Sequence, residues 1–368
     1  MAFPPLVAPA PALPDGERER AARQIRLPEI GEDGQRRLFA ARVCVIGAGG
    51  LGSPVLLYLA SAGIGTICIV DDDVVDTSNL QRQVIFGVDD VGRPKGHVAA
   101  ERIRSLSPHT TVIRAHERLT AENAGRMLAG YDIVIDGSDT FDTRYAVADA
   151  CDALGVPLVW GSVLRFDAQA TVFWSRPPTG TPVRLRDVFP TAPPPEDVPS
   201  CADAGVLGAL CGQLGAILAA EAVKLVCGIG DPVVGRMLVI DALSARTREV
   251  RLVPASRASD AHHETVTIRS IRPDELEDLG DALLLDVREE HEFLAGSIPG
   301  ARSLPLGRLR ADPTAVEADR RIVVFCQTGP RARAAASVLR AAHPHAEILL
   351  LDGSYAAWSR TRDTTGAA

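Results

Sequence analysis

The 368-residue sequence is 46% hydrophobic with a formal net charge of −8, which allows two packed domains and offers no basic stripe for nucleic acid. Seven cysteines, an odd number with no C-x-x-C pair, exclude a regular disulfide framework and fit a reducing, cytoplasmic setting. A membrane is not expected either: the most apolar stretch, Val206 to Val226, contains Gln213, Glu221 and Lys224, and ionisable groups are costly in lipid.

Residues 1–16 are rich in proline and alanine, lack a secretion signal and read as a disordered tail. An α/β pattern fills residues 17–253. Arg42 to Ile46 reads as a buried strand, Gly47 to Gly52 as a tight turn, Ser53 to Ala62 as a helix and Thr66 to Val70 as the next strand, ending at Asp71. Strands are expected at Thr111 to Ala115, Ile133 to Ile135, Leu158 to Trp160 and Gln169 to Phe173, with helices at Val98 to Ser105 and Thr143 to Leu154. Such alternation predicts a doubly wound, mostly parallel sheet of the Rossmann-like kind. From Pro177 to Pro199 proline density excludes helix and central strand and predicts an exposed crossover, with Cys201 at its end. A long buried helix follows, and Met237 to Asp241 with Thr247 to Leu252 reads as a closing hairpin.

Residues 254–265 are polar and unpatterned and suit a linker. A smaller α/β domain is expected over 266–362: a strand at Ala282 to Leu285 leads to Asp286, a strand at Ile322 to Phe325 leads to Cys326, and a helix covers Arg331 to Leu339. Residues 363–368 are a tail.

The turn Gly47-Ala48-Gly49-Gly50-Leu51-Gly52 lets backbone approach a nucleotide whose phosphates meet the N–H groups of the following helix. Asp71 at a strand end can accept ribose hydroxyls, or cap its own turn. Arg82 and Lys95 add two cations, which a triphosphate needs and a nicotinamide site does not; taken singly, each is more often a solvated surface charge. Asp139 can offer an oxygen to Mg2+ or cap a helix. Cys326, between a strand and a helix with Gly329 and Arg331 close by, has the setting of a nucleophilic thiolate, although an isolated strand-end cysteine is more often structural. Cys44, Cys68, Cys151, Cys211 and Cys227 fall in strand or helix patterns and read as core.

Together, Gly47 to Gly52, Asp71, the run Ser78-Asn79-Leu80-Gln81-Arg82, Lys95, Asp139 and the segment Pro199 to Gly208 resemble the E1-like MoeB/ThiF adenylyltransferases of the molybdopterin-synthase and thiamine-sulfur type. Leu285 to Arg288, Ile298 to Ala301, the Cys326 loop and Leu351 to Trp358 resemble a rhodanese domain. The likeness spans roughly residues 17 to 360. It implies ATP with Mg2+ on Asp139, with Thr140 beside it, and Ser78, Asn79, Leu80 and Gln81 in the nucleotide site. It further implies adenylation of the C-terminal Gly-Gly end of a small ubiquitin-like sulfur carrier, and a homodimer in which Arg23 reaches the neighbouring site. It makes Cys326 the persulfide carrier, fed by a cysteine desulfurase or thiosulfate, with Arg331 supplying charge and Cys201 the resolving thiol.

Departures from the family are Ala21 in place of Tyr, Thr140 in place of Asn, Gln327 in place of Arg, Ala332 in place of Ser and Ser297 in place of His. The stretches near Val183 to Asp187 and Val253 to Ser259, which hold zinc-binding cysteines in many relatives, have none, so no zinc is expected. Two rival readings use the same residues: an NAD-dependent oxidoreductase, and a thioester-forming activator whose C-terminal domain only binds.

Overall fold

The computed structural model describes residues 3–115, 117–192, 205–253, 268–276, 279–316, 321–327 and 329–365. These fall into two compact units, one carrying the described residues up to 253 and the other those from 268. The expected linker, Cys201 and the end of the crossover lie outside the described residues.

In the first unit the strands are β1 (Arg42–Ile46), β2 (Thr66–Val70), β3 (Thr111–Ala115), β4 (Ile133–Asp136), β5 (Leu158–Leu164), β6 (Asp167–Phe173), β7 (Arg236–Asp241) and β8 (Arg246–Arg251). Their spatial order is 3-2-1-4-5-6-7-8. β1 to β5 pair in parallel, and β1, β2 and β4 are almost wholly apolar because helices cover both faces. The order runs outward from β1 in both directions, so its carboxyl end is the switch point at which such sheets bind ligands.

The parallel pattern stops at β5. Leu158 to Trp160 and Gln169 to Phe173, expected as strands of a mostly parallel sheet, form one antiparallel hairpin, because only Arg165 and Phe166 separate β5 from β6. A parallel return needs a crossover of a dozen or more residues, so two residues leave no alternative. β7 and β8 continue the antiparallel run as the expected closing hairpin.

The helix Gly208–Cys227 is long and apolar enough to cross a membrane by length and composition alone. Its Leu210, Leu214, Leu218, Ala222 and Leu225, three or four apart, are instead buried against β5, β6 and the helix Gly52–Ala62. The expected helices at Val98 to Ser105 and Thr143 to Leu154 start earlier, as Lys95–Leu106 and Phe141–Leu154. Both shifts matter, since they put Lys95 and Arg144 in first turns that face the switch point.

Two segments are more ordered than their composition suggests. Residues 3–14, expected as a disordered tail, are docked: Leu6 N–H donates to Leu225 O at 3.1 Å, Ala10 N–H to Arg36 O at 3.1 Å, and Phe3 stacks on Trp174. Alternating apolar residues among the prolines supply the contacts that composition alone conceals. The described start of the proline-rich crossover is largely exposed, as expected, but buried Val183 and Leu185 anchor it and it carries a one-turn helix at Leu185–Val188.

The second unit is a five-stranded parallel sheet of β9 (Ser270–Ile271), β10 (Leu283–Asp286), β11 (Arg302–Ser303), β12 (Ile322–Phe325) and β13 (Ile348–Leu351), in the order 11-10-12-13-9. Asp286 is in register with Phe325, so β10 and β12 deliver Asp286 and Cys326 to the same sheet edge. The helices Pro330–Ala342 and Ser354–Thr365 begin there.

Candidate active sites

At the carboxyl end of β1 the chain turns at Gly47, whose φ of 84° belongs to the left-handed region that glycine tolerates. Gly47 N–H donates to Val70 O at 2.8 Å and Ala48 N–H to Asp71 Oδ2 at 2.7 Å. Among the described residues the N–H groups of Gly49, Gly50 and Leu51 have no acceptor, and all three line a cleft. Gly50 sits over Cys211, whose Sγ would be 3.1 Å from an added Cβ. Gly52, expected in the binding set, does not line the cleft. A Cβ there would be 1.8 Å from Gly47 O, so this glycine permits the turn to close onto its helix.

Asp71 lines the cleft and caps the turn: its second oxygen accepts Asp73 N–H at 3.0 Å. Burial pushes its carboxyl above the ordinary aspartate value, against the pull of the Ala48 N–H and Lys95. A carboxylate has about four acceptor positions, so these two bonds leave room for hydroxyls. Lys95 is buried at 6% exposure and its Nζ meets Asp73 Oδ2 at 2.9 Å. Because it is the first residue of its helix, its charge opposes the positive end of the helix dipole. An arriving anion relieves that opposition. Arg82 lines the same wall, with Nη1 donating to Ser78 O at 3.1 Å.

The structure does not bring Ser78, Asn79, Leu80 and Gln81 to the cleft wall. They form or follow the single turn Thr77–Asn79, in which Asp76 accepts Ser78 N–H and Asn79 Oδ1 accepts Asp76 N–H at 3.2 Å. With that oxygen committed to the cap, the run acts as the support that carries Arg82 and Gln83 inward. Gln83 is buried in the cleft with its Oε1 unpartnered among the described residues.

Asp139 and Thr140 line the opposite lip, both exposed. Thr140, not Asp139, is the N-cap of Phe141–Leu154, and its hydroxyl donates to Thr143 Oγ1, so the Asp139 carboxylate has no hydrogen-bond partner among the described residues. Behind it Asp136 is fully buried: Oδ1 accepts both the N–H and the hydroxyl of Ser138, while Oδ2 has no partner among the described residues. Burial pushes the Asp136 carboxyl up, opposed by Arg144. Arg144 donates to Ser138 O and Ser162 Oγ and lies against the rings of Phe141 and Trp160.

Sequence reasoning missed Arg144, Gln83, Asp72, Asp73 and Cys211, all on the cleft wall. The signal for Arg144 was present: helical side chains lean toward the N-terminus, so an arginine one turn into a helix that follows a strand points back at the strand end. Arg23 is exposed and does not line its own chain's cleft. Its segment is fixed by buried Glu17, which pairs with Arg20, and by Gln24, which donates to Gln35 Oε1 and Ala62 O. Buried Ala21 is therefore accommodated without an aromatic ring.

In the second unit Cys326 is 1% exposed and its Sγ accepts Gly329 N–H at 3.0 Å. The loop backbone is tied down by the next helix, as Tyr355 N–H donates to Cys326 O and Ala356 N–H to Gln327 O. Ser354, held at φ 53° and buried, accepts Cys326 N–H at 3.4 Å. Arg331, expected to offer charge to the thiolate, forks its guanidinium onto Glu292 at 2.5 and 2.8 Å. Gln327 Oε1 accepts Arg288 Nη1, and the Ser297 hydroxyl donates to Asp286. Ala332 is buried in the core beneath the loop.

The sequence matches the ThiF family over residues 21–261 and the rhodanese-like domain over residues 273–361. It is 44% identical over 383 residues to the probable adenylyltransferase/sulfurtransferase MoeZ of Mycobacterium tuberculosis, covering 97% of each chain. It is 48% identical over 235 residues to the sulfur carrier protein adenylyltransferase of Thermus thermophilus, covering 64% of this chain and 87% of that one. Among solved structures, E. coli MccB with ATP shares 20% identity at a TM-score of 0.53, over 61% of this chain and 68% of that one, a likeness of fold. The chain belongs to the ThiF family and carries a rhodanese-like domain after its ThiF fold.

Proposed function

We propose that the chain adenylates the C-terminal glycine of a small ubiquitin-like sulfur carrier with ATP and then replaces AMP with sulfur from Cys326, giving a thiocarboxylate. The observation that carries this reading is the convergence, in one cleft, of unpaired turn N–H groups with Lys95, Arg82 and Arg144. The relatives named for adenylyltransfer and sulfurtransfer support it.

The carrier carboxylate attacks the α-phosphorus, forming the acyl–phosphate bond as the bond to pyrophosphate breaks. Turn N–H groups bind the phosphates while Arg82 and Lys95 offset the charge that develops on pyrophosphate. The unpartnered Asp139 carboxylate and the orphaned buried oxygen of Asp136 behind it fit a Mg2+ site in which Asp139 is the protein ligand. Mg2+ bound there adds neutralisation of the phosphates. Arg23, exposed on a segment held rigid, suits reach into a partner's cleft in a homodimer. No zinc is part of the proposal.

A persulfide on Cys326 then attacks the acyl carbon and AMP leaves. The acyl disulfide that results is opened when the Cys201 thiolate attacks Cys326 Sγ, releasing the thiocarboxylate and leaving a disulfide for an external thiol to reduce. Incubating the chain with carriers ending in Gly-Gly, ATP, Mg2+ and either a cysteine desulfurase with cysteine or thiosulfate is expected to replace one oxygen by sulfur in the carrier's intact mass. A carrier mass unchanged with every donor would overturn the reading. Cys201→Ala is expected to stall at the acyl disulfide, with the carrier held on Cys326 and no thiocarboxylate released; undiminished multiple turnover removes Cys201 from the scheme.

A further inference from the structure

On the reading that Cys326 carries the sulfane sulfur, we infer that Glu292 sets the class of donor. By pairing with Arg331 it selects a low-charge donor, a cysteine persulfide carried on a protein, over dianionic thiosulfate.

Three guanidinium groups stand beside the Cys326 loop, and those of Arg288 and Arg331 each pair with a carboxylate. Arg288 is buried and chelates Asp286 through Nε and Nη2; its remaining reach goes to Gln327 Oε1 at 2.9 Å and Gly296 O at 2.6 Å, and its face covers the Tyr355 ring at 4.1 Å. Arg331 interacts electrostatically with Cys326, but both its terminal nitrogens are on Glu292, whose carboxylate offsets the guanidinium charge. Arg331 in turn holds the Glu292 carboxyl down to about 2, so the pair is ionised throughout the physiological range. Arg333 leans over Gly329 but is exposed, where solvent screens it.

Sulfur enters when the Cys326 thiolate attacks the donor's outer sulfur. The new S–S bond forms as the donor's own S–S bond breaks, and the leaving group departs with the electron pair. For thiosulfate the incoming ion and the departing sulfite both carry two negative charges, which a neutralised pair does not offset. For a persulfide the leaving group is a single thiolate. The single Gly329 N–H at Sγ suffices beside that smaller charge.

The test uses the full chain with cyanide as acceptor and two small donors, dianionic thiosulfate and monoanionic methanethiosulfonate. Glu292→Gln keeps the side chain's shape and frees one positive charge. It is expected to raise kcat/KM about fivefold for the monoanion and about the square of that, roughly 25-fold, for the dianion, since the Coulomb gain scales with donor charge. Glu292→Asp is expected to retain the native ratio between donors. Equal gains for both donors, or none for thiosulfate, overturn the inference. Should Glu292→Gln not fold, the native chain decides: kcat/KM for thiosulfate that holds level or rises with ionic strength supports the neutralised pair, and a steep fall with salt overturns it. Cys326→Ala is expected to be silent with both donors; turnover surviving in that variant would remove the sulfur-carrier reading itself.

Discussion

Cys326→Ala is expected to abolish thiocarboxylate formation while leaving carrier-dependent pyrophosphate exchange within about twofold of native, because Cys326 and the adenylation cleft belong to separate units and the exchange reaction uses no sulfur. Asp139→Ala is expected to fail earlier, with exchange reduced about 100-fold or more, the scale at which loss of one preorganised charge at a transition state is felt. The contrast is informative because exchange requires only the acyl adenylate, whereas the thiocarboxylate requires both halves of the reaction. Cys326 Sγ is held by one N–H within a loop whose carbonyls are already bound, so removal of sulfur leaves the loop intact and the loss is chemical. Equal loss of exchange in the two variants would show that adenylation depends on the sulfur site and would undo the division of labour.

How much of this was legible in the sequence depended on whether a residue's role is local. The β1–turn–helix unit, Asp71, and the Cys326 loop follow from period and turn chemistry within a few residues, and the structure has them where those signals put them. The hairpin connection between β5 and β6 was not legible because both strands are apolar enough to be central and the turn, Arg165-Phe166, carries none of the Gly or Asn that mark two-residue connections. The roles of Asn79 and Gln83 exchanged places for a similar reason: adjacent polar residues look alike in sequence, and only the capping bond to Asp76 tells which of them is spent on the turn. Ion pairing is the least legible layer. Nothing between Glu292 and Arg331, 39 residues apart, predicts that one neutralises the other; the register of β10 against β12 does.

Gly52→Ala is expected to lower the stability of the first unit by about 3 kcal/mol or more and to erase stabilisation by ATP. The added methyl would stand 1.8 Å from Gly47 O and 2.8 Å from Gly47 C, both backbone atoms, so no side chain can rotate to accept it. Relief requires the helix Gly52–Ala62 to withdraw from the turn, and that helix is packed against the buried helix Gly208–Cys227. Overpacking of side chains costs about 1–3 kcal/mol, and displacing backbone on both sides puts this case at or above that range. A loss of that size lowers the unfolding midpoint of a unit of this length by roughly 6–12 °C. Gly49→Ala separates stability from binding. An added Cβ there meets only Gln83 Nε2 at 3.7 Å, an ordinary contact, yet it projects from a residue that lines the cleft. Thermal unfolding should therefore find Gly49→Ala at the native midpoint without ATP but unresponsive to added ATP, while Gly52→Ala unfolds early in both conditions. A native midpoint for Gly52→Ala would mean that the close contact between turn and helix does not hold the nucleotide cradle, and the adenylation reading would lose the geometry it depends on.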